Sequence, residues 1–195
     1  MIRAPRPQEI ELLPQIENAA DRRYLRAGLR RVLDMPPASV VILEQARRAG
    51  RLWIAVSPAN RAIGFALATR IGGTAWLDQL SVLERWQGRG IGSALIERCV
   101  RHAREGGDAA IHLSTYLGVA WNAPFYERRG FVSLPRGEWP AAFRRQFASE
   151  NGHPPWRRTI MRRPTGTDYS AATASPICSQ VGATSDTVAR RMSRA

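Results

Sequence analysis

The chain has 195 residues, a formal net charge of +13 at pH 7 and 44% hydrophobic residues. This length predicts one domain with a sizeable core and is short for two. No apolar run, Ser39 to Leu43 included, approaches the length of a membrane span, and the N-terminus lacks a signal-peptide core. The two cysteines, Cys99 and Cys178, imply no disulfide framework. We therefore expect a cytoplasmic protein with no membrane partner.

The basic residues are spread along the chain. All 29 of them are arginine, and they occur as pairs such as Arg22-Arg23 and Arg144-Arg145 rather than as one block. A dispersed charge of this kind makes nucleic acid an improbable main partner. A polyanionic cofactor or an acidic small molecule explains the charge more economically. A nucleic-acid binder would instead show DNA affinity that falls steeply with salt.

Apolar periodicity and turn residues divide the first half of the chain into elements. The predicted elements are a short strand at 2–4, helices from Gln8 to about Leu33 and from Ser39 to Ala49, and strands at Leu52–Val56, Ile63–Arg70 and Thr74–Val82. Gly28 and Pro36 interrupt the first helical pattern, and Ser39 is a suitable N-cap. The tight connections between the three strands predict an antiparallel meander.

The second half begins with a strongly periodic helix that ends near Gly106, with Cys99 on its apolar stripe. The next strand, Ala109 to Ser114, follows a helix and is therefore expected to run parallel to the strand before that helix. The remaining predicted elements are a short helix at Asn122–Arg129, strands at Phe131–Ser133 and Arg158–Met161, and an irregular or helical excursion at Pro135–Pro155. Composition predicts a disordered tail over 165–195.

A glycine-rich stretch, Gln87 to Gly92, lies between the strand that ends at Val82 and the periodic helix. Its alternate glycines let the backbone approach a ligand closely. The helix N-terminus directly behind it offers unpaired N–H groups and a partial positive charge. The stretch therefore predicts a site for an anion such as a diphosphate.

Two nucleotide-binding motifs are excluded at this stretch. A P-loop requires Lys before Ser or Thr, and the chain contains no lysine. A dinucleotide fingerprint requires glycine where Ser93 stands and an acidic residue after the next strand, whereas Asp108 precedes that strand. A ligand-free turn and a phosphate site of another type both stay open on these residues alone.

A second pattern, from Trp121 to Phe131, lies one strand further along the chain. The two stretches together resemble the GNAT superfamily of acyl-CoA-dependent N-acetyltransferases. The residues that match the family's phosphate motif, Q/R-x-x-G-x-G/A, and its second signature are Gln87, Gly90 and Gly92, then Asn122, Tyr126, Gly130 and Phe131. The motifs stand in the family's order, and the resemblance covers about residues 1–164.

The resemblance implies one α/β domain over residues 1–164. Its sheet should be mixed, mostly antiparallel and opened around the cofactor, with about four flanking helices. It also implies acetyl-CoA as co-substrate and no metal. The residues expected to hold acetyl-CoA are the backbone of Leu80, Ser81 and Val82, the N–H groups of Gln87, Gly88, Arg89, Gly90, Ile91, Gly92 and Ser93, and the Asn122 side chain.

Acetyl transfer to an amine needs an acid, a base and a donor to the developing oxyanion. The resemblance puts Tyr126 beside the thioester sulfur, where its hydroxyl can protonate the departing thiolate. A backbone N–H of the strand before the loop, such as that of Val82, can stabilise the oxyanion. No Cys or Ser has a companion base, so we expect direct transfer without a covalent enzyme intermediate.

The base must remove a proton from an ammonium whose pKa is about 10. Asp78 lies nine residues before Gln87, where several family members carry a carboxylate, and apolar neighbours can raise its pKa toward that of a base. A strand-edge acid paired with an arginine is the alternative interpretation of Asp78. Glu84, His112 or a water molecule are the other candidates for the base.

The sequence leaves the acceptor open. In the family it is shaped by segments that correspond here to Asp21–Pro37 and Pro135–Trp156, and both contain arginines and aromatic residues. These arginines suggest an acceptor that carries a carboxylate or phosphate beside its amine. A non-catalytic acyl-CoA sensor is the alternative function, and a homodimer is also left open.

Overall fold

A computed structural model of the chain describes residues 1–150 and 157–166. Its strands there are β1 (Ile2–Arg3), β2 (Leu52–Val56), β3 (Ala62–Ile71), β4 (Thr74–Val82), β5 (Ala110–Tyr116), β6 (Val132–Ser133) and β7 (Arg158–Pro164). Its α-helices there are α1 (Leu13–Asp21), α2 (Val40–Arg48), α3 (Ile91–Glu105), α4 (Ala123–Glu127) and α5 (Ala141–Ser149). None of these helices combines the length and the apolar character needed to cross a membrane.

The strands form one seven-stranded sheet in the order β1-β2-β3-β4-β5-β7-β6. Only β4 and β5 run parallel, as expected for strands joined through a helix, and the predicted meander of β2, β3 and β4 is confirmed. The parallel pairing covers two positions, Ala75 with Ile111 and Trp76 with His112. Beyond them the two strands diverge, so the sheet opens into a fork between their C-terminal halves.

Both faces of the sheet are covered, because side chains along a strand alternate between faces. Trp53 and Ala55 of β2 face the apolar stripe of α3, which includes the buried Cys99. Leu52, Ile54 and Val56 face the other side, where α1 and α2 pack. Ser39 caps α2 as predicted, since its hydroxyl accepts the N–H of Ile42 at 3.3 Å.

The segment from Gln8 to about Leu33 is helical, and the interruption predicted at Gly28 is confirmed, but the segment is divided further than expected. The segment divides into a 3-10 helix at Pro7–Leu12, the α-helix α1, and 3-10 helices at Arg22–Ala27 and Arg30–Asp34. Gly28 ends the second of these 3-10 helices with a φ of 67°, a left-handed conformation that glycine adopts without strain. Because the segment is divided, α1 lies over β4, and the 3-10 helices that follow α1 extend toward the fork.

The excursion predicted after β6 contains a 3-10 helix at Arg136–Glu138 and α5, so its helical alternative is confirmed within 135–150. Trp139 and Phe143 from this segment pack on Trp76 and Ile160. Thr165 is still attached to the sheet, because its N–H donates to Ala109 O at 3.1 Å. The predicted tail from 167 onward lies outside the described residues, as do 151–156.

Candidate active site

A cavity of about 560 Å³ occupies the fork between β4 and β5. It extends from the glycine-rich loop, past α4, to the C-terminal half of α1. The residues singled out from the sequence that line it are Asp78, Leu80, Val82, Gln87, Gly88, Gly90, Ile91, Gly92, Ser93, Asn122 and Tyr126. The two motifs, which are separated by a helix and a strand in the sequence, therefore meet in one space.

The loop at one end of the cavity presents a row of backbone donors. Gly88 and Gly90 have φ values of 72° and 77°, which only glycine adopts without strain. The first helical hydrogen bond of α3 is from Ala94 N–H to Gly90 O. In the described part of the chain, no N–H from Gly88 to Ser93 donates to another protein group, so this end can bind an anion.

Gln87 differs from the expectation. Its backbone N–H donates to Glu84 O at 3.0 Å, so that group is not available to a diphosphate. Its side-chain amide donates to Val82 O at 2.7 Å and ties the end of β4 to the loop. Gln87 therefore fixes the position of the loop in the structure rather than offering a donor from its backbone.

The start of α3 packs closely on α4. A Cβ atom at Gly92 would lie 3.1 Å from Phe125 Cζ, a contact that leaves little room for a larger residue. Arg129 donates to Ser93 Oγ at 2.7 Å, and its guanidinium lies 3.5 Å from the centre of the Phe125 ring. Arg129 lines the cavity and adds a positive charge beside the loop, a feature that sequence reasoning missed.

Asn122 is paired with a residue that sequence reasoning also missed. The Tyr24 hydroxyl donates to Asn122 Oδ1 at 3.2 Å, and Asn122 Nδ2 donates to the same hydroxyl at 3.0 Å. Tyr24 comes from the 3-10 helix after α1 and packs against the Tyr116 and Trp121 rings. Asn122 is buried, and this pair fixes the orientation of its amide.

Tyr126 faces the cavity from α4. Its ring packs edge-on against Phe125 and Phe131, with centroid separations of 5.3 and 5.6 Å. Its hydroxyl makes no hydrogen bond with any described residue, so it is free to donate to a ligand. Burial raises the pKa of the Tyr126 hydroxyl above its usual value, so the side chain keeps its proton at neutral pH.

Asp78 lies at a β-bulge in β4. Leu67 pairs with Gln79 and Ala68 with Leu77, which leaves Asp78 as the extra residue. Its side chain is exposed to solvent within the cavity, and the protein atoms that surround it partly desolvate the carboxylate and raise its pKa to about 6. The nearby Glu150 acts in the same direction.

The bulge also sets which backbone groups of β4 face the fork. Leu83 N–H donates across to Ile63 O at 2.9 Å. Backbone groups alternate in direction along an antiparallel strand, so those of Leu80 and Val82 point away from β3, into the fork. Among the described residues, the Leu80 N–H has only the side-chain oxygen of Gln79 as an acceptor, at 3.2 Å.

Four residues considered from the sequence lie outside the cavity lining. Ser81 is buried, and the Arg89 guanidinium lies over the Trp86 ring. Glu84 forms a surface ion pair with Arg26 at 2.7 Å. His112 is a core residue packed on Phe143, and desolvation lowers its pKa to about 4. Of the two carboxylates proposed as the base, Asp78 and Glu84, Asp78 is the one that lines the cavity.

Sequence reasoning also missed the acids at the far end of the cavity. Glu17 and Asp21 of α1 and Glu150 after α5 all line it. Desolvation raises the pKa of Glu17 to about 7 and that of Asp21 to about 6. Helical periodicity alone would have put Glu17 and Asp21 on one face, four residues apart, but not over β4.

Comparison with known proteins identifies the family. A profile of the Acetyltransferase (GNAT) family matches residues 14–131, more than half of the chain. The chain belongs to this family. The matched range contains both motifs and ends at Phe131, the last residue of the second one.

Several solved structures share this fold at low sequence identity. A GNAT acetyltransferase from Staphylococcus aureus Mu50 has 17% identity and a TM-score of 0.60, over 85% of this chain and 98% of that one. The protein Rv2747 from Mycobacterium tuberculosis, solved in complex with CoA and NLQ, has 15% identity and a TM-score of 0.62, over 84% and 98%. The ribosomal-protein-S18-alanine N-acetyltransferase of Escherichia coli has 19% identity and a TM-score of 0.58, over 86% and 94%.

Proposed function

We propose that this GNAT protein transfers the acetyl group of acetyl-CoA directly to a primary amine. One observation carries the proposal: the loop N–H groups and the Tyr126 hydroxyl, which have no hydrogen-bond partner among the described residues, and the buried Asn122 belong to residues that line one cavity in the fork of the sheet. An anion site alone could stabilise the fold without taking part in catalysis. A phenol and a carboxylate in the same cavity as that site supply the acid and the base that acyl transfer to an amine requires.

The cofactor end of the cavity fits acetyl-CoA. The N–H groups from Gly88 to Ser93, at the N-terminus of α3, would hold the diphosphate, with Arg129 beside them. The backbone groups of Leu80 that point into the fork would pair with the amides of the pantetheine arm, and Asn122 would bond the same arm. Val82 O already accepts the Gln87 amide, and we assign the Val82 N–H to the thioester carbonyl oxygen. The thioester would then lie between Tyr126 and β4.

Asp78 and Tyr126, which both line the cavity, would carry out the proton transfers. Asp78 would take a proton from the acceptor ammonium, directly or through water, since its raised pKa makes it a stronger base than an exposed aspartate. The amine nitrogen would then bond to the acetyl carbon, while the Val82 N–H stabilises charge on the carbonyl oxygen. Tyr126 would give its proton to the thiolate as the carbon–sulfur bond breaks, and the second proton that the nitrogen loses on becoming an amide would return the Tyr126 phenolate to its neutral form.

Tyr126→Phe tests this function in the full chain. Release of the CoA thiol is followed with a panel of primary amines, and binding of acetyl-CoA is measured separately by calorimetry. We expect kcat to fall by about 10²–10⁴-fold, the usual contribution of a general acid, while the Kd for acetyl-CoA stays nearly the same. Binding of acetyl-CoA by the wild type without turnover of any amine would favour the alternative, a non-catalytic sensor.

A further inference from the structure

The acceptor end of the cavity is lined by acids from three separate elements. Glu17 and Asp21 belong to α1, Asp78 lies at the bulge in β4, and Glu150 directly follows α5. Neighbouring acids repel each other electrostatically. The charges of Asp21 and Asp78 raise the pKa of Glu17, and the charge of Glu150 raises the pKa of Asp78. The acids therefore form a row along the same cavity that Tyr126 lines.

These acids are unusual in a chain with 29 basic and only 16 acidic residues. Glu17, Asp21 and Asp78 form no ion pair with any described residue, whereas acids such as Glu9, Glu44 and Glu97 each bond to an arginine. Desolvation makes their charged forms costly. Glu150 is already paired with Arg158. A cationic ligand would compensate the other three acids, which have no ion-paired cation among the described residues.

The arginines near this row leave its negative character in place. Arg158 is committed to Glu150 and Ser114 by hydrogen bonds. Arg23 lies over the Trp121 ring at 4.3 Å and partly offsets Asp21. The other arginines of Asp21–Pro37, and the three described in Pro135–Glu150, do not line the cavity. Glu17 and Asp78 therefore face it without a compensating charge.

The row fits an elongated organic cation better than a metal ion. No group of three His, Cys, Asp or Glu side chains in residues 1–150 and 157–166 converges closely enough to hold a metal. The carboxylates are instead spread from the bulge at Asp78 to the end of α1 at Asp21. A ligand that satisfies more than one of them must carry positive charges at separate positions.

We propose that the acceptor is a small aliphatic diamine or polyamine, with one amine at Asp78 and a second ammonium at Glu17 and Asp21. This inference rests on the acetyl-transfer function and names its substrate class. The arginines of Asp21–Pro37 and Pro135–Trp156 suggested an acceptor with a negatively charged group, whereas this inference assigns an acceptor with a second positive charge. In this arrangement Glu17 and Asp21 are specificity-determining residues, and they do not contact the reacting atoms.

Three amines of similar length test the inference with the full chain and saturating acetyl-CoA. Diaminobutane carries a second ammonium, butylamine ends in a methyl group, and γ-aminobutyrate ends in a carboxylate. We expect kcat/KM to be highest for diaminobutane, by about tenfold or more over butylamine, because a hydrogen bond to a charged group contributes that much. γ-Aminobutyrate should be the poorest of the three.

Glu17→Gln and Asp21→Asn should each reduce the ratio of diaminobutane to butylamine about tenfold. Two variants are used so that misfolding of one leaves the test intact. Glu44→Gln is the matched control, because it removes an acid on the outer surface of α2 that pairs with Arg47 and Arg48, and it should leave the ratio unchanged.

Equal or better turnover of butylamine or γ-aminobutyrate by the wild type would overturn the diamine assignment and leave acetyl transfer standing. An unchanged ratio in both cavity variants would likewise overturn it. Binding of acetyl-CoA with no turnover of any of the three amines would overturn acetyl transfer as well as the diamine assignment.

Discussion

Tyr24→Phe tests the hydrogen-bonded pair that joins the acceptor side of the cavity to its cofactor side. The Tyr24 hydroxyl bonds to both side-chain atoms of the buried Asn122, at 3.2 and 3.0 Å. Each neutral hydrogen bond contributes about 0.5–1.5 kcal/mol net, so the variant should lower the free energy of unfolding by about 1–3 kcal/mol. In a domain of this size, the melting temperature should fall by about 2–12 °C.

Urea denaturation of the full chain measures this change. Tyr126→Phe is the matched control, because the Tyr126 hydroxyl makes no hydrogen bond with a described residue, and its free energy of unfolding should change by less than about 0.5 kcal/mol. A double-mutant cycle with Asn122→Ala should give a coupling energy of about 1 kcal/mol or more.

The same variant should weaken acetyl-CoA binding, since Asn122 is expected to hold the pantetheine arm. A loss of about 1 kcal/mol there raises the Kd about fivefold. Unchanged stability of Tyr24→Phe together with zero coupling to Asn122 would refute the reasoning.

Three further predictions concern pH and the loop. Because the surrounding protein raises the pKa of Asp78 to about 6 and its ionised form is the proposed base, kcat/KM should rise with pH through about 6 and then level, and Asp78→Asn should remove that rise. Glu17 has a folded-state pKa of about 7, above its unfolded value, so the stability it contributes is present at low pH and is lost as pH rises through 7. Glu17→Gln should therefore raise the free energy of unfolding above pH 7 and change it little at about pH 4, which denaturation at the two pH values measures. Gly90→Ala forces a left-handed alanine and should cost about 1–2 kcal/mol of stability and weaken acetyl-CoA binding, whereas Gly137→Ala, with open space around it, should do neither.

The sequence predicted the sheet and the loop of unpaired backbone groups at one end of the cavity because both depend on local patterns. Alternating apolar runs with tight turns gave the meander, and a helix between Val82 and Ala110 gave the parallel pair at the fork. Glycine is the residue type that favours a left-handed backbone, so Gly88 and Gly90 indicate this conformation in the sequence. Their left-handed φ values are what the anion-site interpretation needs.

The acceptor end could not be predicted because it depends on how distant elements pack. Tyr24 and Asn122 are 98 residues apart, and nothing in either local pattern identifies the pair. Glu17 has the spacing of an ordinary helix residue, and only the placement of α1 over β4 brings it into the cavity. The segment from Gln8 to Leu33 has a helical period throughout, yet the left-handed Gly28 and the 3-10 turns around it redirect the chain toward the fork.

The most direct test of the central claim is the melting temperature of the full chain with and without acetyl-CoA. At 100 times the Kd, a ligand that binds only the folded state stabilises it by about 2.7 kcal/mol. That should raise the melting temperature by about 5–11 °C for a domain of this size. CoA should give a shift of similar size, since the diphosphate and pantetheine contacts are common to both ligands. A melting temperature that neither CoA nor acetyl-CoA changes would contradict the assignment of the cavity to acyl-CoA.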